Sequence, residues 1–222
     1  MRFIGDVHGK YTQYQKIIDS CDESIQVGDM GVGFRYSYGP KEGEFYPNPP
    51  HYAMIRGKHR FIRGNHDNPA ECKKHSQWIA DGTIEDDIMF VGGALSIDRD
   101  RRIKDYTWWE DEELSINALY SVVDNFTTVQ PRVMIAHECP DPIADMLMYG
   151  NKFKDGSRTR QAFTAAWEAY KPELWIFGHW HNNLDQVVLG TRFICLNELS
   201  YIAIDMNDLS SGTIVPHWNI KM

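Results

Sequence analysis

Cysteine is scarce in this chain. Cys21, Cys72, Cys139 and Cys195 are the four among 222 residues, and no two form a CxxC pair. That spacing argues against a disulfide framework or a zinc knuckle and suits small buried residues in a reducing compartment. Long apolar runs are missing too. None approaches the roughly 18 residues of a membrane span, and the opening Met1-Arg2-Phe3-Ile4-Gly5-Asp6 lacks a signal-peptide core. A cytoplasmic chain with no membrane partner is therefore expected. Positive charge is the third shortage: 23 Lys and Arg stand against 31 Asp and Glu, a formal net charge of −8. Duplex DNA is gripped through its phosphates by a basic surface, so no duplex-DNA partner is expected. Neither an internal repeat nor a low-complexity tract interrupts the chain. With 42% hydrophobic and 24% charged residues the composition is globular, and the length suits one domain over 1–222 with a substantial core.

What the chain does have is order along its length. Short apolar runs recur as Arg2-Phe3-Ile4, Ser24-Ile25-Gln26-Val27, Arg60-Phe61-Ile62, Ile88-Met89-Phe90-Val91, Arg132-Val133-Met134-Ile135 and Leu174-Trp175-Ile176-Phe177. Each reads as a buried strand feeding a loop. Helical patterns fall between them at 11–20, 68–77, 115–125 and 158–170, the second with Asn68 as cap and Pro69 in its first turn. This alternation predicts an α/β fold. From Gln186 the runs 186–189, 191–196 and 201–205 follow closely, with Gly190 between the first two. They predict strands returning by tight turns in a second, more antiparallel sheet. Two segments fit no regular element and read as loop insertions, 33–50 and 99–113. The first carries Phe34, Tyr36, Tyr38, Phe45 and Tyr46; the second opens on Arg99, Arg101, Arg102 and Lys104, passes Trp108-Trp109 and closes on Glu110-Asp111-Glu112-Glu113.

Five motifs carry the chemistry: Gly5-Asp6-Val7-His8-Gly9, Gly28-Asp29-Met30-Gly31, Gly64-Asn65-His66-Asp67, Ala136-His137-Glu138 and Gly178-His179-Trp180-His181. Every one directly follows a strand-like run, and the C-terminal ends of parallel strands open on one crevice. Asp6 and His8, two apart on an extended segment, are expected to point the same way, as are His179 and His181. Carboxylates, an amide carbonyl and imidazoles without thiolate suit Mn²⁺ best, with Fe, Zn²⁺, Ni²⁺ or Mg²⁺ as alternatives. The donors outnumber the three protein groups that one catalytic ion usually takes. They fit two divalent ions sharing a carboxylate, an arrangement suited to phosphoryl displacement.

In this order the five motifs resemble those of the calcineurin-like metallophosphoesterases, from Gly5 to His181. The segment Gly92-Gly93-Ala94-Leu95-Ser96-Ile97-Asp98 and Trp108-Trp109 are similar to phage and bacterial members. The resemblance implies a four-layer αββα sandwich of two mixed sheets. It also implies Asp6, His8 and His181 on a first metal, Asn65, His137 and His179 on a second, and Asp29 between them. His66 matches the motif histidine that faces the leaving group, so Asp29, Asn65 and His66 are the expected catalytic residues. The protein phosphatases of this superfamily continue the second motif as GDxVDRG, whereas Val32 and Gly33 stand at the Asp and Arg places here. Replacement cations are sought in Arg99, Arg101 and Arg102 or in Arg56, Lys58 and Arg60. Asn65, His66, Arg101 and Arg102 are the expected substrate contacts.

The expected activity is phosphatase-type hydrolysis of a phosphorylated small molecule, nucleotide or phosphoprotein by metal-activated water. His66 would serve as general acid, with Asp67 or a backbone carbonyl orienting it. A phosphodiesterase or nuclease acting on nucleotides or single strands is the alternative, drawn from aromatics that could stack a base. A non-catalytic metal-binding scaffold of the same fold is the third reading.

Overall fold

In strand β1 (Arg2–Ile4) successive side chains face opposite ways, Phe3 into one apolar core and Ile4 into another. That alternation builds the layers of the computed structural model, which describes residues 1–36, 41–46, 48–148 and 156–217. Tyr38, counted above among the loop aromatics, lies outside them.

Strands β2 (Ser24–Gln26) and β3 (His59–Phe61) run parallel to β1, and β10 (Tyr201–Ala203) pairs antiparallel on its other side, giving the order β10-β1-β2-β3. The second sheet has the order β4-β5-β6-β7-β9-β8. Its strands are β4 (Thr83–Glu85), β5 (Ile88–Val91), β6 (Val133–Ala136), β7 (Leu174–Phe177), β8 (Leu184–Val188) and β9 (Thr191–Cys195). The four inner strands are parallel and the two edges, β4 and β8, antiparallel. Phe3, Ile25 and Val27 of the first sheet meet Phe90, Ile135, Ile176 and Ile194 of the second in the central core. Each such side chain contributes roughly 1.5–3 kcal/mol on burial.

The outer faces are covered by helices. Tyr14, Ile17 and Ile18 of α1 (Tyr11–Ile18) and Met54 of α2 (His51–Arg56) pack on Ile4 and Phe61. A single turn, α3 (Pro69–Cys72), buries Cys72 in the same cluster. On the far side α4 (Ile116–Val129), α5 (Asp141–Leu147) and α6 (Arg158–Ala169) bring Phe126, Ile143, Phe163 and Trp167 against Trp175, Phe177 and Phe193. The result is the expected αββα sandwich of two mixed sheets.

Some elements depart from expectation. The three C-terminal strands do not share one sheet: β8 and β9 form a hairpin on the six-stranded sheet, while β10 crosses to the edge of the other. The helix over 68–77 stops at Cys72, although Asn68 does cap it through the Ala70 and Glu71 N–H groups. Past Cys72 the chain must extend so that Trp78 can bridge to Phe61. Helices α2 and α5 and strand β4 were not expected. All three are short, with at most seven residues, too few to establish a period.

Candidate metal centre

The five motifs leave the carboxyl ends of β1, β2, β3, β6 and β7 and converge. The chain does not deliver the histidines by strand alternation. His8, Asp29, His179 and His181 all have left-handed backbone, with φ of 48°, 60°, 67° and 46°. Each such residue costs on the order of 1–3 kcal/mol, and strain of this kind gathers where surrounding structure imposes it. The turns reverse the chain just past the strand ends, so Asp6/His8 and His179/His181 meet through turn geometry, not through a shared strand face.

The donors fall into two groups about Asp29. Asp6, His8, Asp29 and His181 each offer an atom within 4.8 Å of the others. Asp6 Oδ2 is buried and makes no hydrogen bond; His181 Nε2 lies 3.2 Å away and His8 Nε2 3.7 Å. His8 Nε2 and His181 Nε2 approach to 3.0 Å. In the second group Asn65 Oδ1 sits 3.1 Å from His137 Nε2 and 2.9 Å from His179 Nδ1. Asp29 spans both, with Oδ2 3.8 Å from His8 Nε2 and Oδ1 3.3 Å from His137 Nε2. His137 donates from Nδ1 to the Val27 carbonyl (2.9 Å), which leaves Nε2 as the ring nitrogen that faces the site.

Three strand-end glycines make room for these groups. A Cβ at Gly28 would lie 2.2 Å from His137 Nδ1, one at Gly64 2.1 Å from Asp29 Oδ1, and one at Gly178 2.2 Å from Asp6 Oδ1. Two buried carboxylates, four imidazoles and an amide oxygen thus face one another with acceptors inward. That donor set fits divalent cations of the hard-to-borderline kind. Asp29 reflects the same demand. Burial would raise its pKa, but His137, His66 and His8 hold the carboxyl well below the usual carboxylate range. Burial would lower His137, yet Asp29 pulls its pKa up to about 9, so a proton partly neutralises the site in the absence of an ion.

His66 donates its backbone N–H to Asp29 Oδ1 (2.7 Å), and its ring stacks on Phe34 at 5.0 Å and 8°. Arg102 Nη2 donates to His66 Nε2 at 2.6 Å, so that nitrogen accepts and the ring proton sits on Nδ1. Burial, with the neighbouring cation Arg102 and His8, pushes the His66 pKa down to about 3 despite Asp29. Asp67 does not orient His66. Its carboxylate accepts from the N–H groups of Met30, Gly31, Val32 and Gly64, tying the second and third motifs together.

A cleft of about 510 Å³ opens on the site, and among its lining residues are Asn65, His66, Ser96, Ile97, Arg102, Met148 and Trp180. Arg102 reaches it, whereas Arg99 and Arg101 are exposed. Of the other candidate cations, Arg56 pairs with Asp19 and Arg60 with Glu85, and neither lines the cleft. Trp109 is buried with its edge toward Phe34, so these aromatics pack the insertion onto His66. Arg35 lies over Phe45 and Tyr106 and joins the 33–50 and 99–113 insertions. Ser96, Glu112 and Glu138 stand in the quoted segments, but nothing in their residue types marks the contacts they make. Glu138 was in plain view beside His137; once buried, its carboxylate binds Arg160, Trp180 and the Cys139 N–H. Among the described residues no helix is long and apolar enough to cross a membrane.

The family model described as calcineurin-like phosphoesterase matches residues 2–183. No curated protein matches the chain. A Staphylococcus aureus protein named as a candidate 5′-nucleotidase, solved with alpha-ketoglutarate, is similar in fold, with a TM-score of 0.54 and 13% identity over 97% of this chain. The match covers 53% of that protein, so the chain spans about half its length. A phosphopantetheinyl hydrolase from Mycobacterium tuberculosis matches at a TM-score of 0.46 and 14% identity, over 89% of each chain.

Proposed function

The chain belongs to the calcineurin-like phosphoesterase family, and on that premise we propose that it hydrolyses monoesters of small phosphorylated molecules with two divalent ions. Asp6, His8 and His181 would hold the first ion, Asn65, His137 and His179 the second, and Asp29 would serve both. The observation that carries this reading is the division of the Asp29 oxygens, Oδ2 toward His8 and Oδ1 toward His137. The chemistry such ions would supply when bound is acidification of a water and neutralisation of phosphate oxygens. The donor set favours Mn²⁺.

The chain's own groups do the rest. The Arg102 guanidinium, which Asp98 holds at 2.7 Å, forks onto the phosphate as it enters. That movement frees His66 Nε2. With a dianion replacing a cation beside it, the ring would take a proton from solvent water onto the freed Nε2 and pass that same proton to the leaving oxygen. Phe34, stacked on the ring, holds its plane. Asn65 and His66 flank the phosphate, while Ile97, Met148 and Trp180 exclude water around the leaving group.

Substrate choice follows from charge. Among the described residues Arg102 is the one arginine or lysine that lines the cleft, which suits a single phosphate on an apolar or aromatic leaving group of nucleoside size. A polynucleotide tracked along its backbone calls for a basic groove, and the net charge of −8 opposes that. The stacking platform invoked for single strands is weakened because Phe34 is engaged by His66 and Trp109 is buried. Assay of the Mn²⁺-loaded chain on an aryl phosphomonoester and a bis-aryl diester tests the proposal. Faster turnover of the monoester, abolished by chelation, supports it; preference for the diester or activity without metal overturns it.

A further inference from the structure

Asn65 has an amide, and only one of its two ends can ligate a cation. What decides which end faces inward is a chain of hydrogen bonds from a part of the sequence remote from the five motifs. Asn65 Nδ2 donates to Ser96 Oγ at 3.0 Å, and Ser96 Oγ donates to Glu112 Oε2 at 2.5 Å, while Ser96 N donates to Glu112 Oε1 at 2.9 Å. All three residues are buried. The logic is directional. A carboxylate only accepts, so the Ser96 hydroxyl hydrogen is committed to Glu112 and its lone pairs face Asn65, where only the NH₂ end can satisfy them. The carbonyl Oδ1 is thereby turned to His137 and His179.

Glu112 is itself fixed. Arg63 Nη1 donates to the carbonyls of Glu112 (2.7 Å) and Asp111 (3.1 Å), and Arg63 Nε donates to Asp81 (2.7 Å). Arg63, just before the third motif, therefore holds the backbone of Glu112 directly, while Asn65 within the motif reaches its side chain through Ser96. Beyond the dinuclear reading, on which this rests, we infer that Ser96 and Glu112 are positioning residues that select the ligating end of Asn65 and so set the affinity of one ion of the pair. Without them the amide can reverse and turn its NH₂ end toward His137 and His179, and an ion must then turn it back before binding. Outer groups that orient a ligand in this way are worth roughly 10–100-fold in metal affinity.

The test is titration of the metal-free chain with Mn²⁺ alone, wild type beside Ser96→Ala, read by calorimetry and by paramagnetic resonance. Ala fills nearly the same space, and the unfolding temperature of the metal-free variant checks that the fold is kept. The expected result is two ions in the wild type, and in Ser96→Ala a loss of roughly 10–100-fold for one ion with the other unchanged. Equal affinities in variant and wild type, or equal weakening of both ions, overturns the inference alone. A wild type that takes up fewer than two ions overturns the dinuclear reading and this inference with it.

Discussion

Arg101 and Arg102 are neighbours in sequence and indistinguishable by type, yet the 3₁₀ turn Arg99–Arg101 sends one to solvent and the next onto His66. Arg102→Ala is expected to raise KM for a phosphomonoester about 10-fold or more, the scale of a lost charge-assisted hydrogen bond, with metal content unchanged. Arg101→Ala should match the wild type in the same steady-state assay. Equal effects would remove Arg102 from the phosphate site. His137 sets a second expectation. Against the opposing effect of burial, Asp29 raises its pKa to about 9. Its protonated form therefore stabilises the metal-free fold fully below the unfolded value of about 6.5, and that contribution is lost as pH rises through about 9. A ligating ring must be neutral, so Mn²⁺ uptake at neutral pH should release on the order of one proton per chain, with affinity rising toward pH 9. Calorimetry in buffers of different ionisation enthalpy reads this directly; heats independent of buffer would contradict it. The residue types and motif order were legible because each donor follows an apolar run. The Arg102 contact and the Ser96–Glu112 pair were not, since both depend on how an irregular segment folds back.

At the scale of elements, short strands deliver the donors and glycines make space for them. Gly178 shows the division of labour: an added Cβ meets Asp6 Oδ1 at 2.2 Å and nothing else closer than 3.4 Å. Gly178→Ala should therefore displace Asp6 and weaken Mn²⁺ binding roughly 10-fold or more, while the metal-free chain loses little stability. Metal titration and thermal unfolding of the same variant separate the two; unchanged affinity would mean that Asp6 is free to move or does not ligate. The strand ends could be read from sequence because β-branched runs and glycines mark them. The left-handed turns at His8, Asp29, His179 and His181 could not, because histidine and aspartate tolerate positive φ better than most residues yet adopt it at only a minority of their positions. Alternation along a strand pointed to the right neighbours by the wrong geometry. β10 was read as a strand, but its transfer to the other sheet is a tertiary outcome, fixed by pairing of Phe3 with Ile202.

For the whole molecule, the two sheets share one apolar core and the crevice lies across their carboxyl ends. The first sheet supplies Asp6, His8, Asp29, Asn65 and His66, and the second His137, His179 and His181. Neither sheet carries a complete set of the proposed ligands, so ion binding should couple to the sandwich as a unit. The central claim is that Asp29 joins two ions across this junction. Titrating the metal-free chain with Mn²⁺ and recording its paramagnetic resonance measures that most directly. A shared Asp29 predicts two ions per chain with an exchange-coupled spectrum, and loss of the coupling together with weakened binding of both ions in Asp29→Asn. A single ion, or two uncoupled ions whose binding survives Asp29→Asn, would contradict it.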